Sequence, residues 1–184
     1  MVSRLFATGQ PQTIQDVLAN KDRRAARQGE LCSRFPEQTI VNLKLNIPGP
    51  IKNNPELQEM FNLGSQELLN RLLEGRADTL IWQNTWDEPT GDELFLVLDQ
   101  DLMKVKQLTT KFEEEFELGR LFDADVLSQQ TQDKPVSRSV LGLPSRKCFI
   151  CSRPAKECAR SRRHSVEDLQ QAISLAWAQL KADN

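Results

Sequence analysis

Asp123 and Asp125 stand two positions apart inside an otherwise apolar stretch, LFDADVL (121–127). In an extended strand alternate side chains share a face. Phe122, Ala124 and Val126 then form one apolar face and the two aspartates the other, with Cα atoms about 6.5–7 Å apart from the strand rise. Like charges this close repel unless a cation stands between them. A hard divalent ion such as Mg²⁺ meets that need, because it takes one or two carboxylates and fills its other positions with water and substrate phosphates. An Asp-x-Asp pair can thus hold metal against a di- or triphosphate. Arg120, just before the pair, can bind phosphate oxygens bidentately. Lys52, in the loop NIPGPIKNN (46–54) ahead of a helix, can meet an anion at the helix N-terminus. The bland alternative is two solvated aspartates on an exposed strand.

A second group of residues has metal-ligand chemistry. Cys148, Cys151, Cys158 and His164 follow the spacing C-x2-C-x6-C-x5-H, using three of the four cysteines and the single histidine. A C-x-x-C turn followed by two further ligands suits a tetrahedral structural Zn²⁺ site. Four protein ligands would close such a site and leave no position for hydrolytic chemistry. A redox pair, or cysteines in a loop, are the alternatives. Cys32 is expected to be a buried thiol.

Charge distribution adds to this. The net charge is −2, yet seven Lys or Arg and one acid, Glu157, lie between Pro144 and His164. A second basic run, NKDRRAARQ, occupies 20–28, and KFEEEFEL at 111–118 is acidic. A local basic excess in a mildly acidic chain points to phosphate binding rather than general nucleic-acid affinity. No run approaches the ~18 apolar residues of a transmembrane helix, and the N-terminus lacks a secretory apolar core. A cytoplasmic protein is expected.

The elements that must position these residues follow from periodicity. Helical spacing covers 13–35, with Thr13 as N-cap and Ile14, Val17, Leu18, Ala25 and Leu31 as the apolar stripe; Pro36 ends it. Alternation over 38–47 predicts a strand with Asn42 and Lys44 on one face and Val41 and Leu43 on the other. A helix is predicted over 55–73, strands over 77–86 and 94–99, and a helix over 101–117 with Asp101 at its start. VSRSVLGL (136–143) is a candidate hairpin partner for the aspartate strand, and Ser165 with Asp168 caps a C-terminal helix. Strand, helix, strand, strand, helix, strand is the split βαβ, or ferredoxin-like, order. The expected fold is α+β, an antiparallel sheet with helices on one face and the aspartates on the other, open one. Residues 1–143 would form the catalytic domain, with the Cys/His-rich segment and helix of 144–184 packed on it.

The ordered set NKDRRAARQ, PGPIK, FNLG, LGRLFDADVL and LPSRKCFIC closely resembles the apo-citrate lyase phosphoribosyl-dephospho-CoA transferases, from about residue 13 to 170. The resemblance implies transfer of the phosphoribosyl-dephospho-CoA group from 2′-(5″-triphosphoribosyl)-3′-dephospho-CoA to a serine of the citrate lyase acyl-carrier subunit, with release of diphosphate. It makes Asp123 and Asp125 the Mg²⁺ ligands. Arg120, Lys52 and Arg146 become candidates for the triphosphate, and Arg24 and Arg27 for the donor's remaining phosphates. The carrier subunit and the donor are the implied partners, with no nucleic acid and no membrane. Two other readings compete: a pyrophosphokinase acting on a small hydroxylated substrate, and a zinc-stabilised RNA- or protein-binding module. Basic residues without an aromatic ladder argue against single-strand recognition.

Overall fold

The structure, a computed structural model, describes residues 4–183. Its elements run α1 (Ile14–Arg34), β1 (Thr39–Leu45), α2 (Pro55–Leu73), β2 (Leu80–Trp86), β3 (Glu93–Leu98), α3 (Leu102–Glu115), β4 (Phe122–Leu127), α4 (Ala155–Ser161) and α5 (Val166–Asp183). The strands form one antiparallel sheet in the order β2-β3-β1-β4, with both β2 and β4 at edges.

Alternation divides the sheet into two unlike faces. Val41, Leu43, Leu94, Leu96, Leu98, Phe122, Ala124 and Val126 share the main core with α2, α3 and α5, which contribute Leu57, Met60, Phe61, Val105, Phe112, Ile173 and Trp177. Phe122 is central to this core, its ring 5.3 Å edge-on from Phe112 and 6.5 Å from Phe61. Gly64 on α2 permits that packing: a Cβ there would stand 2.1 Å from Phe122 Cζ. The fit seats the first residue of the aspartate strand.

The second face is graded from polar to apolar by register. Glu93, Lys44 and Asp123 form one row; Phe95, Asn42 and Asp125 the next; Val97, Ile40 and Leu127 the third. This face is not open, because α1 lies over it. Leu31 and Cys32 cover Ile40, Val97 and Leu127 at the apolar end. At the polar end Arg24 donates two hydrogen bonds to Glu93 (2.7 and 2.8 Å), Asn20 donates to the same carboxylate (2.7 Å), and Gln28 donates to Asn42 (3.2 Å). The helix therefore turns Asn20, Arg24 and Gln28 inward, while Ile14 and Leu18, expected on its buried stripe, are exposed. A polar sheet surface selects a polar helix face, and hydrogen bonding makes the burial tolerable.

Caps explain where the helices begin. Thr13 and Asp16 form a reciprocal capping box at α1, Asn54 and Asp101 cap α2 and α3, and Ser165 and Asp168 exchange hydrogen bonds at α5. The candidate hairpin partner at 136–143 is not a strand. One bond, from Val136 N–H to the Val126 carbonyl (2.7 Å), is followed by a 3-10 turn over Arg138–Leu141. Gln132 and Asp133 both take left-handed backbone, and Pro135 has no N–H to donate, so the returning chain cannot continue the ladder. No helix among the described residues is long and apolar enough to cross a membrane.

Candidate active site

As an edge strand, β4 has backbone groups to satisfy on its outer side. Ala124 N–H donates to the Glu113 carboxylate of α3 (2.9 Å), and Arg146 donates to the Phe122 carbonyl. The Arg146 guanidinium also pairs with Glu113 (2.9 Å) and approaches Asp123 (3.8 Å). The chain leading to the cysteine turn is thus fastened to the strand that carries the aspartates.

Lys44, directly opposite Asp123 on β1, forms an ion pair with it. This ammonium, with Arg146, is the nearest part of the answer to the repulsion posed by the sequence. Burial pushes the Asp123 carboxyl up, but Lys44, Arg146 and Lys106 outweigh it and hold it below the usual carboxylate range. Asp125 goes the other way: burial, then the charge of Asp123, raise it, and Lys44, Lys106 and Arg24 only partly compensate. It makes no direct hydrogen bond or ion pair among the described residues. One carboxylate is already matched with cations; its neighbour on the same face still lacks one. That donor set fits a hard divalent ion, which takes carboxylate oxygens and tolerates water in its other positions.

Lys106 and Glu113 project from α3 towards this cluster and are nearly inaccessible. Burial lowers the Lys106 ammonium and raises the Glu113 carboxyl, and each is partly restored by opposite charges, Glu113 and Asp125 for the lysine and Arg146 for the glutamate. Neither they nor Lys44 and Glu93 stand out in the sequence as site residues. The available signals were the Lys44 position on the polar parity of β1 and the polar stripe Lys106, Thr110, Glu113 at helical spacing within α3.

The remaining cations divide. Arg146 is at the acidic pair. Arg120, in the 3-10 turn Gly119–Leu121, lies close to Arg146 and Arg138, and burial first, then those like charges, disfavour its own charge. Arg24 is turned into Glu93, within electrostatic reach of Asp125. Arg27 pairs with Glu30 (2.6 Å) and lies 5.0 Å over the Trp82 ring, towards the opposite sheet edge. Lys52 donates to the Ile47 carbonyl of its own loop, and burial lowers its ammonium. The structure brings Asp123, Asp125 and Arg146 together; it does not bring Arg27 to them.

Cys148, Cys151, Cys158 and His164 converge, their ligand atoms all within 4.8 Å of one another. Cys151 Sγ is 3.5 Å from Cys158 Sγ and 3.4 Å from His164 Nε2. A tetrahedron with Zn–S bonds of about 2.3 Å has an edge of about 3.8 Å, so only a small adjustment separates this cluster from zinc geometry. Cys148 N–H to Arg153 O and Ala155 N–H to Arg146 O (both 2.7 Å) close the turn. Burial opposes ionisation of the Cys148 thiol, but N–H groups of Cys151 and Ile150 bring it below its ordinary value; Cys158 is pushed up to about 11 by burial and its neighbouring sulfurs. The set could hold a metal such as zinc. Cys32, remote from it on α1, is buried and pushed up to about 12, first by burial and then by Asp133.

The family described as apo-citrate lyase phosphoribosyl-dephospho-CoA transferase matches residues 12–179. A probable apo-citrate lyase phosphoribosyl-dephospho-CoA transferase from Streptococcus pyogenes serotype M18 is 36% identical over 175 residues, 95% of this chain and 90% of that one. The apo-citrate lyase phosphoribosyl-dephospho-CoA transferase of Citrobacter koseri is 32% identical over 163 residues, 89% of this chain and 87% of that one. A protein named CitXG from Leuconostoc mesenteroides subsp. cremoris is 38% identical over 165 residues, which are 89% of this chain but 34% of the longer protein. The match runs through the aspartate strand, the cations around it and the cysteine turn alike, and the chain belongs to the apo-citrate lyase phosphoribosyl-dephospho-CoA transferase family.

Proposed function

We propose that this protein transfers the phosphoribosyl-dephospho-CoA group from 2′-(5″-triphosphoribosyl)-3′-dephospho-CoA to a serine of the citrate lyase acyl-carrier subunit. The observation that carries the reading is the match to this one family over residues 12–179. It favours the transferase over a pyrophosphokinase or a nucleic-acid-binding module. The serine Oγ forms a bond to the α-phosphorus, the bond from that phosphorus to the diphosphate oxygen breaks, and the hydroxyl proton is lost. Charge moves onto the departing diphosphate, so the chain must place cations there.

Arg146 and Lys44 supply two of them. Arg146 is oriented by Glu113 and the Phe122 carbonyl, so its guanidinium is held in place before substrate arrives. Asp123 and Asp125 would hold Mg²⁺, which when bound offsets charge on the α-phosphate and diphosphate oxygens. Arg24 holds Glu93 and, with it, the middle of α1 beside the acidic pair. The Cys/His set would hold structural Zn²⁺ and fix the turn that follows Arg146. The strand order and helix placement support the split βαβ description of the sheet, and free cysteines suit a reducing cytoplasm.

The test is diphosphate release. It should require both the apo-carrier and the triphosphoribosyl donor, and should fall at least about a hundredfold with Arg146→Met, the scale of losing one preorganised charge-stabilising group. Release with the donor alone, undiminished in the variant, would contradict the reading.

A further inference from the structure

Beyond the acidic pair, a cavity of about 500 Å³ opens between the cysteine turn and α5. That volume is within the range of sites that bury a small ligand. Its floor is apolar, with Leu121, Phe149, Leu169 and Ile173, and four cations, Arg120, Arg146, Lys147 and Arg162, line it without a single carboxylate. In a chain with 26 acidic residues against 24 Lys and Arg, that exclusion marks an anionic ligand with an apolar part.

Arg120 supplies the second, independent observation. Its neighbours Arg138 and Arg146 are paired with Glu114 and Glu113. Arg120 has no hydrogen-bond or ion-pair partner among the described residues, and its Nε is buried without an acceptor. A buried guanidinium N–H left unmatched is costly; Arg146 and Arg138 crowd it with like charge, Glu114 offsets this only in part without bonding to it, and a phosphate is the ligand whose oxygens fit its fork. A smaller cavity of about 370 Å³ is also lined by Arg120, Arg146 and Lys147, together with the paired Arg138 and Glu114, so Arg120 borders two cavities and only the larger one is free of carboxylates. Arg146 lines the larger cavity and also approaches Asp123 at 3.8 Å, which sets the cavity beside the acidic pair.

We propose that this cavity takes the dephospho-CoA end of the donor, with its diphosphate bridge on Arg120 and its adenosine against Leu121, Phe149 and Leu169. The assignment rests on the transferase reading and deepens it. It separates two roles: Arg146 serves the reacting phosphates beside Asp123, and Arg120 grips phosphates that do not react. Binding energy from such a non-reacting part positions the α-phosphorus for attack.

The experiment measures dephospho-CoA binding by titration calorimetry for the full chain, Arg120→Gln and Val166→Trp. Val166 lines the cavity from the first turn of α5 and is 41% exposed, so added bulk enters the cavity rather than the core. Both variants should bind dephospho-CoA at least about tenfold more weakly while melting like the parent, the scale expected for one charged hydrogen bond or a blocked apolar surface. Inorganic tripolyphosphate, which mimics the reacting phosphates beside Asp123, should keep its affinity in both variants. Unchanged dephospho-CoA binding in a folded pair of variants overturns the assignment. So does a wild-type chain that transfers from the complete donor but has no affinity for dephospho-CoA, a result that leaves the transferase reading standing. A chain that binds dephospho-CoA in the expected pattern but transfers nothing from the complete donor would sink the transferase reading and leave the cavity assignment in place.

Discussion

At the scale of single residues, the protein places charges in pairs whose members have different work. Asp123 is matched by Lys44 and Arg146 and held low, while Asp125, two residues on, is raised and unmatched. The Asp-x-Asp spacing was legible because strand parity alone puts both on one face. Lys44 was not, because its place opposite Asp123 depends on β1 pairing with β4, a register between segments some 80 positions apart. Glu93, one position before the strand expected over 94–99, is a buried carboxylate receiving Arg24, Asn20 and Asn42. Removing one partner of a buried pair leaves an uncompensated charge. Arg24→Met should therefore cost about 3–5 kcal/mol in urea unfolding, and adding Glu93→Gln should recover part of it. A loss under about 1 kcal/mol for Arg24→Met would show that this ion pair does not fix α1 on the sheet.

At the scale of elements, the pattern that predicted a helix or strand was sound where packing agreed with periodicity. The reading of 55–73 as a helix coincides with α2, and Gly64 within it is required by the Phe122 ring. The apolar stripe assigned to α1 holds at Leu31, which is buried, and fails at Ile14 and Leu18, where the helix turns a polar face to the polar part of the sheet; which face a helix buries is decided by its partner. The basic run NKDRRAARQ similarly divides, with Arg24 inward to Glu93, and Arg23 and Arg27 lying over Trp86 and Trp82. The cysteine turn was legible from spacing, since short-range C-x-x-C chemistry constrains geometry strongly. If it holds zinc, purified protein should contain about one zinc per chain, and Cys148→Ser or Cys158→Ser should lose the metal and lower the melting temperature. A loss of about 3 kcal/mol corresponds to about 6–12 °C for a chain of this size. Full metal content with an unchanged melt in both variants would contradict the structural-zinc assignment.

At the scale of the whole molecule, the loop after β1, the β2–β3 turn and the start of β4 gather at one end of the sheet. Asp92 lies there, buried, accepting from Asn53 (2.7 Å). Burial first, then Asp87, raise it to about 6 despite the bond from Asn53. A carboxyl whose folded value lies above its unfolded value of about 3.9 holds its proton longer in the native state. Stability from this group is therefore fully present below about pH 4, declines as pH rises to about 6, and is flat beyond, a change of up to about 3 kcal/mol. Asp92→Asn should remove that slope from urea midpoints measured between pH 4 and 7; a slope identical to the parent's would place its origin elsewhere. The proposed site is likewise a property of the assembled molecule, since Asp123, Lys44, Lys106 and Arg146 come from four separate segments. The most direct measurement is intact-mass spectrometry of the citrate lyase acyl-carrier subunit after incubation with this protein, Mg²⁺ and the triphosphoribosyl-dephospho-CoA donor, with Asp123→Asn in parallel. A mass gain equal to the phosphoribosyl-dephospho-CoA group is expected with the parent and none with the folded variant. No gain with the parent and intact donor would contradict the transferase reading, and an equal gain with the variant would remove Asp123 from the chemistry.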